Sequence, residues 1–167
     1  MENLSRRSFL TATSAALAGT VFIPNMISGK PSNRLNIAVI GIGMGFGNMG
    51  RCTDENIVAL CDVDKDRMKG RIESFKEEYP DKTVPYEYQD YKKMFAEIGD
   101  LIAAVIIATP DHTHALITLY AMKLGKHVYC QKPLTHSVYE SRMLTLAAEK
   151  YNVATQMGNQ GSSGDHT

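Results

Sequence analysis

Residues 35–50 read LNIAVIGIGMGFGNMG, an apolar run that empties into a stretch crowded with glycine. The run from Leu35 to Ile40 is continuous rather than alternating, the pattern of a strand covered on both faces. A tight glycine turn comes next. A dinucleotide-binding turn needs glycine in three roles: to bend sharply, to let backbone approach a pyrophosphate, and to let a helix pack closely on its strand. Counted from the strand's end, Gly41 and Gly43 fit the first two roles, and Phe46 stands where the third glycine belongs. An unbroken GxGxxG occurs later, at Gly45, Gly47 and Gly50. The register next to the strand is the one that can work, because a bound anion has to meet the helix N-terminus where the strand stops. Gly45 or Gly47 then takes the third role.

Working outward, apolar runs and capped helical stretches alternate along the chain. Ile57 to Cys61 reads as a second strand, ended by Asp62. Asp64 is placed to cap a helix with Met68, Ile72, Phe75 and Tyr79 on one face, closed by Pro80. Asp90 is placed to cap a short helix carrying Met94, Phe95 and Ile98. Ile102 to Ala108 is a third strand, followed by a helix with Thr109 as N-cap and Pro110 at its first position, ending at Gly125 after Lys123. Val128 to Cys130 is a strand. Ser137 and Glu140 have capping-box spacing before a helix that carries Leu144, Ala147, Ala148 and Tyr151 on one face. Val153 to Met157 is the last strand. This alternation predicts a doubly wound α/β domain with a parallel sheet, a Rossmann fold, over residues 31–157. Asp62 lies about twenty residues past the glycine turn, where an acid accepts hydrogen bonds from the adenosine ribose. Its charge repels a 2′-phosphate and favours NAD over NADP, although Lys65 and Arg67 are close by.

A length of 167 residues allows one domain with a fair-sized core, not two full ones. With 44% apolar residues, 22% charged residues and no net charge, the chain has no basic surface for nucleic acid. Cys52, Cys61 and Cys130 match no metal or redox spacing. Residues 1–30 read as a leader: Arg6-Arg7 precede an apolar run from Phe9 to Ile23, with Ala16-Leu17-Ala18 as a small-residue cleavage site. Paired arginines before Phe9-Leu10 resemble the twin-arginine export signal, which makes the twin-arginine machinery an expected partner and the periplasm the expected location.

Four segments end at the carboxyl edge of the predicted sheet: the glycine turn, ALCDVD at 59–64, ATPDHTH at 108–114 and CQKP at 130–133. Together with GKHVYCQKP at 125–133 and GNQ at 158–160, this ordered set resembles the glucose–fructose oxidoreductase/inositol dehydrogenase family (Gfo/Idh/MocA), from about Leu35 onward. The resemblance implies that Lys132 stands beside the nicotinamide and the reacting carbon. An ammonium there can hydrogen-bond the substrate hydroxyl and screen the developing alkoxide. The family's Glu is Gln131 here, which keeps the shape and loses the charge. Thr109, Pro110 and His112 are implied to line the cofactor crevice. His114 reads equally as a crevice residue or as a packed or capping histidine. Asn159 matches the passage out of the nucleotide-binding domain, close to the nicotinamide. A zinc site is disfavoured, because His112 and His114, two apart on a helix, do not share a face.

The resemblance implies an exported, NAD-dependent oxidoreductase that transfers hydride to or from a hydroxyl carbon of a sugar or polyol. It also implies a following substrate domain, begun at 158–167, and a homo-oligomer when full length. The chain then reads as a nucleotide-binding N-terminal part, inactive alone. Two alternatives stand: an NAD-using glycoside hydrolase acting by transient oxidation, and a non-catalytic nucleotide-binding module.

Overall fold

The computed structural model describes residues 34–159; the leader read at 1–30 and residues 160–167, most of the expected start of a second domain, lie outside the described residues. Each continuous apolar run forms a strand: β1 (Asn36–Ile40), β2 (Asn56–Cys61), β4 (Ala104–Ile107), β5 (His127–Gln131) and β6 (Thr155–Gly158), with a short edge strand β3 (Tyr86–Tyr88). All pair parallel in the order β3-β2-β1-β4-β5-β6. Val39 lies between Leu60 and Ile106, so the three strands read most directly from the sequence form the centre of one sheet. Strand order reverses between β1 and β4. In open parallel sheets the ligand crevice forms at that reversal, beyond the carboxyl ends.

Between the strands lie α1 (Met44–Met49), α2 (Lys65–Glu78), α3 (Tyr91–Ile98), α4 (Asp111–Lys123) and α5 (Val138–Tyr151). The Asp64 carboxylate accepts from the Arg67 N–H at the start of α2, and Asp90 accepts from Lys92 N–H at the start of α3. Ser137 and Glu140 make the reciprocal capping box of α5. Gly125, at φ +72°, follows α4 as a left-handed stop.

The helices divide the core in two. On one face Phe46 and Met49 of α1 and Met68, Ile72 and Phe75 of α2 pack on Ile37, Val39, Leu60 and Ile106. On the other, residues of α3, α4 and α5 such as Met94, Ile117 and Leu144 pack on Ile40, Val105, Ile107 and Val128. Each such side chain contributes about 1.5–3 kcal/mol by leaving water. Because α1 and α2 lie on one face and α4 and α5 on the other, no helix among the described residues covers the first face over β4–β6. A cavity of about 450 Å³ lies there, lined by Ile37, Arg51, Ile106, His127, Tyr129 and Gln156.

One local expectation needs correction, and one strand went unread. The sequence starts the last strand at Val153, but Asn152 adopts a left-handed conformation (φ 51°) and the Val153 N–H still bonds Ala148 O, so the helix exit uses both residues and β6 begins at Thr155. The three residues of β3, with Tyr86 exposed, are too few to show a period; pairing with Ala59 to Cys61 makes them a strand.

Cys61 and Cys130 are buried free thiols. Burial pushes the Cys61 thiol up to about 12, with the Asp90 and Asp62 charges adding to it, and burial pushes Cys130 to about 11. Since the thiolate is the nucleophile, neither should react with a disulfide reagent at pH 8 until the chain is unfolded. Both groups hold protons in the folded state that the unfolded chain releases above the ordinary thiol value of 9.0. Their contribution to stability is complete below that pH and lost as pH rises toward the folded values, so alkaline melting should steepen in that window.

Candidate dinucleotide-binding site

The glycine turn begins where β1 stops. Gly41 has φ +85°, and a Cβ on it would lie 2.6 Å from Ala108 C and 2.7 Å from Ala108 O and Thr109 N. Its N–H donates to Cys61 O at 2.8 Å, so the residue is wedged among β1, β2 and the exit of β4. Gly43 is exposed at the N-cap of α1; no side chain caps that helix, and a Cβ on Gly43 would meet nothing within 4 Å. That open space beside backbone fits a ligand's approach. The structure also assigns the third role. A Cβ on Gly45 would lie 2.9 Å from Val39 Cγ1 and 3.3 Å from Ala108 Cβ, whereas one on Gly47 would meet nothing. Gly45 is therefore the close-packing glycine, one position before the usual place, and Phe46 turns into the core with the Arg71 guanidinium 4.6 Å from its ring. The later GxGxxG at Gly45, Gly47 and Gly50 lies along α1 and its end rather than around the turn.

Asp62 leaves the end of β2 and is 8% exposed. Its Oδ2 accepts the Ile42 N–H at 2.9 Å, inside the glycine turn, and its Oδ1 accepts the Asp64 N–H at 3.0 Å. The carboxylate thus joins the two loops expected to hold pyrophosphate and ribose. The Arg67 Nη1 lies 3.4 Å from both carboxylate oxygens of Asp62, and its Nη2 lies 3.3 Å from Asp64 Oδ2. Arg67 is the neighbour that sequence reading noted only by proximity; its place three residues after the capping Asp64 is the signal that brings it here.

At the exit of β4, Ala108 N–H donates to Ile40 O, which carries Thr109 and Pro110 to the same edge. The expected capping is corrected: Pro110 (φ −56°, ψ 142°) is itself the N-cap and Asp111 the first helical residue. Thr109 Oγ1 instead accepts from Thr113 Oγ1 at 2.7 Å, and the Asp111 carboxylate accepts the His112 N–H at 2.8 Å. That N–H bond, with the charges of the His136 and His112 imidazoles adding to it, holds the Asp111 carboxyl below its ordinary range. His112 is exposed on the first turn of α4, its Nδ1 3.6 Å from Asp111. His114 points the other way and is 1% exposed, so the packed alternative is the one the structure supports. Among the described residues no group of three or more side chains is arranged to hold a metal ion.

Gln131 ends β5 and is buried, while Lys132 beyond it is exposed. The Lys132 N–H donates to Gln131 Oε1 at 3.2 Å, and the Lys132–Pro133 peptide is cis. Gln131 pairs with Gly158 across β5 and β6, which brings the exposed Asn159 to the same edge. A Cβ on Gly158 would collide with the Tyr129 hydroxyl and stand 2.9 Å from Gln131 Oε1, so the glycine of the GNQ stretch lets the two strand ends close. The edge therefore gathers the glycine turn, Asp62, Thr109-Pro110, Gln131-Lys132 and Asn159. The 450 Å³ cavity lies on the open sheet face and shares none of these residues.

A family model described as an oxidoreductase family with an NAD-binding Rossmann fold (GFO_IDH_MocA) matches residues 35–159. Inositol 2-dehydrogenase of Rubrobacter xylanophilus is 32% identical over 122 residues, 70% of this chain and 32% of that protein. A glycosyl hydrolase family 109 protein of Stenotrophomonas maltophilia is 33% identical over 138 residues, 77% of this chain and 29% of that protein. The crystal structure of myo-inositol 2-dehydrogenase from Lactobacillus plantarum superposes with a TM-score of 0.66 at 28% identity, covering 79% of this chain and 38% of that one. The chain spans about a third of the length of these relatives.

Proposed function

The chain belongs to this oxidoreductase family with an NAD-binding Rossmann fold, and from that membership we propose that it serves hydride transfer between NAD and a hydroxyl carbon of a sugar or polyol. The observation that carries the reading is the Asp62 carboxylate bonded to the Ile42 N–H, which ties a ribose acceptor to an open glycine turn. That cradle fits a dinucleotide: backbone N–H groups around Gly43 receive the pyrophosphate, and Asp62 accepts hydrogen bonds from the ribose hydroxyls. NAD, when bound, supplies the hydride acceptor. Lys132, exposed at the far side of the strand reversal, hydrogen-bonds the substrate hydroxyl and stabilises the charge that develops on its oxygen. Thr109, Pro110, His112, Gln131 and Asn159 border the same crevice. Substrate selection, the homo-oligomer interface and full activity are assigned to a substrate domain beyond the matched residues.

Preference for NAD over NADP is part of the proposal, because a carboxylate at the ribose repels a 2′-phosphate. Arg67, held by Asp62 and Asp64, is the counterweight. Asp62→Ala is expected to weaken NAD+ binding about tenfold, the effect of losing one hydrogen bond to a charged group. It should also narrow or reverse the preference over NADP+, since Arg67 is released at the same moment. Titration of both nucleotides by fluorescence checks this. A wild-type chain that already prefers NADP+ contradicts the ribose role.

Similarity to glycosyl hydrolase family 109 proteins favours a second reading, in which oxidation is transient and the net reaction is glycoside hydrolysis. Reduced cofactor accumulates under the first reading and is recycled under the second, so absorbance at the reduced nicotinamide band separates them. Export is proposed from Arg6-Arg7 before Phe9-Leu10. Arg6→Lys with Arg7→Lys should stop translocation and leave nucleotide binding intact; mature protein still appearing in the periplasm would point to another route.

A further inference from the structure

His114 is a titratable side chain that the proposed chemistry does not use, yet it is almost completely buried. Its ring lies between two backbone carbonyls from different loops: Nδ1 is 2.6 Å from Pro133 O and Nε2 is 2.8 Å from Thr109 O. Both distances are those of good hydrogen bonds, and because a carbonyl oxygen only accepts, the ring bridges the two only with a proton on each nitrogen, donating from both. Proline has no N–H, so this carbonyl is the whole hydrogen-bonding capacity of the Pro133 backbone, and the imidazole takes it up.

The two carbonyls are not incidental. Thr109 follows Ala108, whose backbone is the wall against which Gly41 is pressed. Pro133 follows Lys132 directly. The His114 ring therefore lies in an unbroken run of contacts from the phosphate turn, through the exit of β4, to the residue that follows the lysine. On its other side the lysine's backbone is fixed by its N–H bond to Gln131 Oε1, and Gln131 is paired to β6. Lys132 is thus anchored from both flanks while its own side chain is free to extend into the crevice.

Only a rigid ring with a polar atom at each end spans two acceptors in this way. Asparagine reaches one of them, and phenylalanine fills the space and reaches neither. We propose that His114 is a positioning residue: by bridging Thr109 O and Pro133 O it sets the distance between the phosphate-turn side of the crevice and Lys132, and so holds the ammonium at the nicotinamide end. This rests on the proposed role of Lys132 at the nicotinamide, and its test separates the two.

The test uses the 167-residue chain with lysines reductively 13C-methylated, so that no sugar substrate is needed. Lys132 is identified as the resonance missing from Lys132→Met. In the wild type that resonance should move on saturation with NAD+. In His114→Phe the movement should be largely lost, and in His114→Asn reduced, with NAD+ affinity within a few-fold of wild type in both. A wild-type resonance indifferent to NAD+ sinks the Lys132 reading and the proposal with it. Variants that respond as fully as wild type sink the positioning role alone. Should either variant lose its folded spectrum, the wild-type ring decides: two solvent-protected His114 N–H protons, one coupled to the Thr109 carbonyl and one to the Pro133 carbonyl, support the bridge, and coupling to one carbonyl alone or to neither overturns it.

Discussion

Lys132→Met is expected to lower turnover by ~10² or more, about 2.7 kcal/mol of transition-state stabilisation, while NAD+ affinity stays within a few-fold. The split comes from position. The glycine turn and Asp62 are joined by the Ile42 N–H bond on the β1–β2 side of the strand reversal, and they set affinity. Lys132 stands past β5, two strands from β1, on the side proposed for the nicotinamide rather than the adenosine half. Methionine keeps most of the aliphatic stem and removes the charge and its donors, so the fold should be indifferent to the change. The comparison is made on a full-length preparation with a panel of sugars and polyols, measuring turnover and nucleotide affinity on the same samples. Wild-type turnover in the variant would make the lysine a bystander and remove the catalytic half of the account.

Gly41→Ala should cost the fold about 3 kcal/mol or more, through two independent causes. A non-glycine residue at φ +85° costs about 1–3 kcal/mol by backbone strain alone. The added methyl would also stand 2.6 Å from Ala108 C, and that atom is backbone held in place by the Ala108 N–H bond to Ile40 O. Relief requires β1 and β4 to part at the centre of the sheet. Gly47→Ala is the control. Its Cβ meets nothing within 4 Å on the surface of α1, so removing a helical glycine should stabilise by about 0.5–1 kcal/mol. Thermal melts of the two variants decide which glycine register forms the turn. If Gly47→Ala melted early and Gly41→Ala did not, the turn would belong to the other set of glycines.

The elements that could be read from sequence are those whose signal is local. Continuous apolar runs marked β1, β2 and β4 because burial on both faces leaves no alternation. Asp64, Asp90 and Ser137 marked helix starts because a cap acts within three residues. The placement of Asp62 at the end of its strand was legible from the apolar run before it, whereas the role expected of Lys132 came from the family resemblance and not from its own position. What escaped depends on partners far along the chain. The third glycine could not be chosen until Val39 and Ala108 were seen against Gly45. Thr109 looked like a cap until Pro110, held near ψ 142°, took that place itself. His114 could be assigned only once Pro133, 19 residues away, lay against its ring. The edge strand Tyr86–Tyr88 owes its conformation to pairing with β2 rather than to its own three residues.

One dinucleotide is proposed to lie along the carboxyl edge, from Asp62 across the glycine turn to Lys132. A 1H–15N titration of the 167-residue chain with NAD+ tests it most directly. Saturable shifts are expected to concentrate at Ile42, Gly43, Val63, Thr109 and Lys132, with NADP+ producing them only at higher concentration. Shifts confined to the open sheet face around His127 and Gln156, or no saturable shifts at all, would contradict it.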